Sequence, residues 1–499
     1  MPPSLPRVTR LLAAGALLAA AALPLRAQTP IPPVASVADL TGSITTGVAT
    51  STPLPLSLDD AIRRGLKNNL QTVLASQDQT VGTGERLLIF NALLPDIRYE
   101  ASRSRYQFNL EALGFTYGTI KKFPASFIPP SELANFNPLV TANVVQAQAT
   151  LHQTLFNLQD FELYKAAKDE IRALGFAYQS ARGGVIQQVG DSYMLVLADA
   201  ANVDNAKGLL AVDKEILRQA TLTHQAGVST HLDELRAQVQ YQQQEQIVIA
   251  RENTLRKDKV ALKREIGLPA DQPIVLTDAT PFADVETMPL GEALRQAYIN
   301  RQEYLRLNAK VDSAKMQLRA ARFERLPTIS FTGNYGVTGL VGGVYHGTFL
   351  AQGTLSIPIF REAKLRGDRD VADAQLQAAQ AQRDNFRTEI EAEIRDSMLD
   401  VNASRQMVTV ARSNVDLANA SLNDTTDRFR NGVADDLPVV QAQAALAGAQ
   451  AELVNSLYQY NVAKLGLARS LGVIDRQFHA YLGLGHAPLT LPAQDTRGY

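Results

Sequence analysis

The chain contains no cysteine. That excludes disulfides, and it removes the thiol that would carry a lipid anchor after cleavage of a leader. Only six histidines occur, with no pair at metal-site spacing, and neither a nucleophile elbow nor a paired-carboxylate motif is present, so enzyme activity is not expected. The net charge of -1 and mean hydropathy of -0.10 offer no basic surface for nucleic acid. Beyond the N-terminus no run of eighteen apolar residues occurs. A chain of this kind crosses a membrane only by closed β-strands.

What is present begins with Arg7 and Arg10 ahead of an apolar run from Leu11 to Leu25, ending in Leu25-Arg26-Ala27. The charged start, short apolar core and small residue at the cut predict a secretory signal peptide, with a mature chain from Gln28. A Pro-rich stretch from Thr29 to Pro55 follows.

An internal duplication organises most of the remainder. Leu58-Asp59-Asp60-Ala61 is echoed by Leu290-Gly291-Glu292-Ala293, and Leu94-Pro95 by Leu326-Pro327, both displaced by 232 positions. Gly227-Val228 matches Gly432-Val433, Leu232 matches Leu437, and Ile266-Gly267 matches Leu471-Gly472, displaced by 205. The offsets differ by 27 residues, which assigns a longer loop to the first copy, at the Pro- and Phe-rich stretch from Leu110 to Pro138. The expected partition is a leader at 1–27, a Pro-rich segment at 28–56, a first repeat at 57–270, a linker at 271–287, a second repeat at 288–473 and a tail at 474–499.

Each copy reads helix, strand, strand, long helix, turn, helix. Ile329, Phe331, Gly333, Tyr335 and Val337 alternate with small polar residues, as do Phe349, Ala351, Leu355, Ile357 and Ile359, and Val145, Ala147, Ala149 and Leu151 in the first copy. Strands of about ten residues with one apolar and one polar face suit a transmembrane barrel, although an ordinary half-buried sheet shares the pattern. From Gly367 to Arg430 there is no proline, and Val401, Val408, Val415, Leu422 and Phe429 recur every seven residues. The first copy keeps this seam as Val196, Val203, Leu210, Leu217 and His224. Such helices reach on the order of 90–100 Å, turn at Gly227 or Gly432, and return as coiled-coil hairpins.

His224 and His231 flank the first turn and could meet a metal, but two isolated histidines at a helix turn are more often plain surface residues, and no metal or other cofactor is expected. The run Gly333, Gly336, Gly339, Gly342, Gly343, Gly347 joins two strands without a Lys-Ser/Thr or a helix start. It is a hairpin loop, not a phosphate cradle.

Together these residues resemble the TolC-type outer-membrane efflux family from about Leu56 to Val473. The opening Leu58-Asp59-Asp60-Ala61 with Gly65-Leu66-Lys67-Asn68-Asn69, the two Leu-Pro pairs, the turn from Gly227 through Ser229 and Leu232 to Asp233, and Gly267-Leu268-Pro269 carry the likeness. The resemblance implies a mainly α fold with a small transmembrane β-barrel. Four strands per subunit of a homotrimer would close one twelve-stranded barrel, and the helices would form a long periplasmic tunnel. It further implies an exit duct in outer-membrane lipid, joined to a periplasmic adaptor and an inner-membrane transporter. A periplasmic coiled-coil adaptor is the alternative, but it should show one hairpin, no duplication and no amphipathic strand pairs.

Adaptor contact is expected at the hairpin ends, Gly227, Val228 and Ser229, and Gly432, Val433 and Ala434. Asp435 and Asp436 would gather six carboxylates at the mouth of a trimer, or Asp436 would simply cap the next helix. Family members place aperture acids further along, where this chain has Pro438 and Gln441, and the second turn lacks the usual Ser and Asp.

Overall fold

The computed structural model describes residues 42–122, 137–278, 284–285, 288–431 and 437–483. The leader, the start of the Pro-rich segment and the second turn's Gly432, Val433, Ala434, Asp435 and Asp436 lie outside the described residues. Strand β1 (Leu54–Leu56) is followed by α1 (Leu58–Asn68), α2 (Leu70–Asn91), β2 (Asp96–Asn109), β3 (Leu139–Phe156), α3 (Leu158–Gln225) and α4 (His231–Ile266). After β4 (Ile274–Leu276) come α5 (Leu290–Asn300), α6 (Gln302–Phe323), β5 (Thr328–Leu340), β6 (His346–Ser356), α7 (Glu362–Arg430), α8 (Leu437–Ser470) and α9 (Ile474–Leu482). Elements in corresponding positions have matching lengths: α1 and α5 are 11 residues each, α2 and α6 are 22 each, and α3 and α7 are 68 and 69. Among the described residues no helix is long and apolar enough to cross a membrane.

Two compact units emerge, each drawing on both halves of the chain. The first, built from Leu87–Tyr164 and Arg319–Arg369, holds an antiparallel sheet in the order β2-β3-β5-β6. Its strands run to 14, 18, 13 and 11 residues, longer than the alternation alone suggested. Strand β6 stops at Ser356, so Ile357 and Ile359 fall beyond it. Pro95 and Pro327 each stand directly before a strand, β2 and β5, where proline ends the preceding helix and biases its neighbour to extended backbone. The connections differ as the offsets require: residues 110–138 join β2 to β3, and residues 341–345 join β5 to β6.

Register puts like with like across this sheet. Tyr99 faces Ala149, Ala149 faces Tyr335, and Tyr335 faces Phe349, while Ile97 faces Leu151. One residue along, Glu100, Gln148 and Gly336 align, and Thr150 stands opposite Arg98 and Asn334. One face is therefore apolar and the other polar. The apolar one is bare: Ile97, Tyr99, Tyr335, Phe349 and Leu355 are all exposed. Among the described residues, strands β2 and β6 each pair on one side only.

The second unit is helical, comprising Lys165–Leu318 with the described parts of Val37–Arg86 and Asp370–Tyr499. Its core gathers Leu58, Ile62, Val185, Ile186, Tyr193, Leu262, Ile390, Ile394, Tyr460, Leu471 and Phe478. The opening motif earns its residues here. Ser57 caps α1 by accepting from the Asp60 amide at 3.2 Å, Asp59 and Asp60 sit in the first turn, and Ala61, like its counterpart Ala293, is fully buried. Asp278 accepts the Leu58 amide at 2.7 Å and the Tyr193 hydroxyl at 2.9 Å, and β1 pairs in parallel with β4 beside it. Gly267 ends α4 at φ +75°, and a Cβ there would stand 2.6 Å from the Ile44 carbonyl oxygen. Glycine is needed on both counts.

The described part of the Pro-rich segment is tied to this unit through Ile44 N to Asn68 O at 2.9 Å, Thr46 N to Gly267 O at 2.9 Å, and Thr50 N to Gln272 Oε1 at 2.8 Å. Residues 474–482, which the sequence placed in the tail, form α9 with Phe478 and Leu482 buried in the core.

Candidate functional site

The heptad seam accounts for how the hairpins hold. Along α7, Ile390, Ile394, Val401, Ser404, Val408, Ala411 and Ala418 are buried at three-, four- and seven-residue steps, while Val415 is half-buried. On α3 the matching Val196 and Val203 are buried, and Leu210, Leu217 and His224 are half-buried toward the turn. A second apolar line is left open. Leu232, Leu235, Val239, Ile249 and Val260 on α4, and Met407, Val410 and Leu417 on α7, are exposed at heptad-compatible spacing.

At the first turn, Gly227 takes φ +74°, and Val228 N bonds back to Thr223 O at 2.9 Å. Thr230 caps α4: its hydroxyl accepts from Asp233 N at 3.3 Å, and Asp233 Oδ2 accepts from Thr230 N at 3.1 Å. This is a capping box. Hydrogen bonds from Thr230 hold the Asp233 carboxyl below the usual carboxylate range. Ser229 does not cap; its hydroxyl meets that of Thr223 at 2.9 Å. Val228 is 79% exposed at the apex. Of the expected contact residues, Gly227, Val228 and Ser229 are thus brought together on one turn, while Gly432, Val433, Ala434, Asp435 and Asp436 lie outside the described residues.

Two groups of polar residues escaped the sequence reading, and a third was read only in part. Asp213, Arg236, Gln240 and Gln443 line a small cleft between the two hairpins, near their turns. Burial pushes the Asp213 carboxyl up to about 6, and both polar atoms of the Gln443 side chain are buried without a hydrogen bond. Deeper in the unit, Asp191 rises to about 7 through burial and then the neighbouring Glu265, and Asp199 to about 7 through burial and Asp258. Burial also lowers Lys464 to about 8. The third group is at the first turn, where the His224 and His231 rings lie 5.2 Å apart with Glu234 beside both, so the two histidines are neighbours and not isolated. The sequence had placed both histidines at the turn; the residue it left out was Glu234, three residues from His231 on one helix.

Comparison with known proteins bears on the whole arrangement. Residues 90–268 and 293–473 match the family described as outer membrane efflux protein. The chain is 22% identical to the outer membrane protein TolC of Escherichia coli over 359 residues, covering 68% of this chain and 71% of that one. It is 24% identical over 354 residues to the probable efflux pump outer membrane protein SepC of Pseudomonas putida, covering 68% and 72%. The fold is similar to the outer membrane channel CmeC of Campylobacter jejuni at TM-score 0.69, with 18% identity over 84% of this chain and 86% of that one. It is also similar to the open state of the MtrE outer membrane channel of Neisseria gonorrhoeae at TM-score 0.66, with 16% identity over 91% and 98%.

Proposed function

Since the chain belongs to the outer membrane efflux protein family and is an outer-membrane efflux channel, we propose that three copies close one twelve-stranded barrel in outer-membrane lipid, continued by a helical tunnel in the periplasm. The observation that carries this is the four-stranded sheet with two unpaired edges and an apolar face left open. Unpaired backbone in hydrocarbon costs several kcal/mol per group, so β6 of one subunit pairs with β2 of the next until no edge is left. The polar face, with Gln148, Thr150, Asn334 and Thr338, then lines a wet lumen. The second apolar seam supports the same assembly in the helical unit, where Leu232, Val239, Val410 and Leu417 await helices of neighbouring chains.

The chain reads as two copies, 57–270 and 288–473, and their matching element lengths support it. The longer first-copy loop, residues 110–138, lies outside the cell on this reading. A periplasmic adaptor docks on the hairpin ends, Gly227-Val228-Ser229 and Gly432-Val433-Ala434, and links the duct to an inner-membrane transporter that selects cargo. Asp435 and Asp436 ring the mouth and favour cations.

Fractionation and cross-linking test the assembly. A chain without cysteine accepts single pairs cleanly, so cysteines scanned along β2 and β6 should give covalent dimers and trimers in outer membranes, and a heat-modifiable trimer on gels. A soluble periplasmic monomer would refute it. Bulky replacements at Val228 and Val433 should abolish efflux with trimers intact, and replacing Asp435 and Asp436 by asparagine should weaken cation selectivity in planar bilayers while preserving any cap.

A further inference from the structure

We propose that His224, His231 and Glu234 form a binding site for a late first-row divalent metal ion of the Zn2+ type at the end of the first hairpin. His224 lies in the last turn of α3, while His231 and Glu234 share a face in the first turn of α4, three residues apart. The turn at Gly227 folds the second helix end back onto the first. His231 Nδ1 lies 3.6 Å and His224 Nε2 3.9 Å from the same carboxylate oxygen, Glu234 Oε2, and all three ligand atoms fall within 4.8 Å of one another. In a tetrahedral shell with bonds of about 2.0–2.1 Å, neighbouring ligand atoms sit roughly 3.3 Å apart, so small side-chain rotations close the site.

The local bonding favours a metal over a plain ion pair. Both His–Glu distances exceed hydrogen-bonding range, so the carboxylate oxygen stands near two rings without bonding either. The other oxygen, Glu234 Oε1, accepts from the Thr221 hydroxyl at 3.0 Å, which aims Oε2 at the histidines. His224 Nδ1 is buried with no hydrogen bond, so turning that ring to present either nitrogen sacrifices nothing within the protein. Two imidazoles and one carboxylate suit Zn2+, Co2+ or Ni2+ and not Mg2+ or Ca2+, which prefer all-oxygen shells. His231 is two-thirds exposed, leaving a path for the ion and a fourth position for water. The site is confined to one copy of the duplication: at the 205-residue offset the second hairpin carries Phe429, Asp436 and Val439. Each chain therefore holds one such site. A bound ion would tie the ends of α3 and α4 together across the turn, independently of whether an adaptor docks there.

The test uses the full chain purified in detergent and stripped with a chelator. Titration calorimetry with Zn2+ should show one tight equivalent per chain, and Co2+ should give visible absorption with the intensity of a four-coordinate ion. His224→Phe, the residue of the second copy, and His231→Asn should each weaken Zn2+ binding about 100-fold, with helical circular dichroism unchanged. Glu234→Gln should weaken it too while keeping an oxygen for Thr221, and His346→Gln, elsewhere in the chain, should leave it unchanged. Tight one-to-one binding that survives the double His224→Phe/His231→Asn change, or wild-type protein that binds no Zn2+ at micromolar concentrations, would overturn the site.

Discussion

In the four-stranded sheet Tyr99, Tyr335, Phe349 and Leu355 lie exposed on one face, whereas in the helical unit Tyr193, Tyr460, Ile390 and Ile394 are fully buried. Both regions are patterned for apolar burial, yet only the helical unit gathers a large apolar core, its second apolar line staying open. The contrast is the one the proposed barrel requires: the helical unit packs a core of its own, while among the described residues the sheet's apolar face has no cover from the same chain. Periodicity reports which face is apolar and is silent about what that face will touch.

Substitutions can break or sharpen this contrast. Ile394→Ala opens a cavity in the fully buried core and should cost about 2–5 kcal/mol, read as a lower midpoint in denaturant unfolding followed by helical circular dichroism. An unchanged midpoint would mean that the helical core is not the stabilising centre. On the sheet, Tyr335→Arg should cost about 2–4 kcal/mol in a bilayer, while Gln148→Arg on the polar face should cost little, measured as folded trimer yield in lipid vesicles. Equal losses from both would erase the assignment of faces.

The next effect is confined to the helical unit and depends on pH. Buried Asp191, up to about 7, keeps a proton in the folded state that the unfolded chain releases near 4. Stability from this group is therefore present at low pH, falls as pH rises from about 4 to about 7, and stays lost above that. At 1.36 kcal/mol per pH unit the whole change is on the order of 2–4 kcal/mol. Asp191→Asn should flatten that slope and raise the melting temperature at pH 8, and a variant with the wild-type profile would reassign the slope elsewhere. Smallest is the turn: Thr230→Ala removes half of the capping box and should cost about 1 kcal/mol, seen as faster amide exchange in the first turn of α4 with the sheet unaffected.

Much of the fold was legible because the chain repeats itself. The motif alanines Ala61 and Ala293, the Leu-Pro pairs before β2 and β5, and the glycines ending α4 and α8 are local requirements, imposed by close packing, a fixed proline φ and a positive glycine φ. Such requirements appear in the residues themselves. The strand ends were misjudged because Ile357 and Ile359 continue the alternation after β6 has ended, and pairing, not pattern, decides where a strand stops. The helix α9 was missed because nine residues are too few for periodicity to separate them from a tail.

By itself the sequence carried the repeated motifs, the two-faced strands and the heptad seam, since each is a regularity visible along the chain. Only the tertiary structure decided what comes from far apart. It brought Asp278 to the start of α1 and Tyr193, and set Asp191 beside Glu265. Burial and proximity between distant segments create these sites, and no local pattern of residues encodes either.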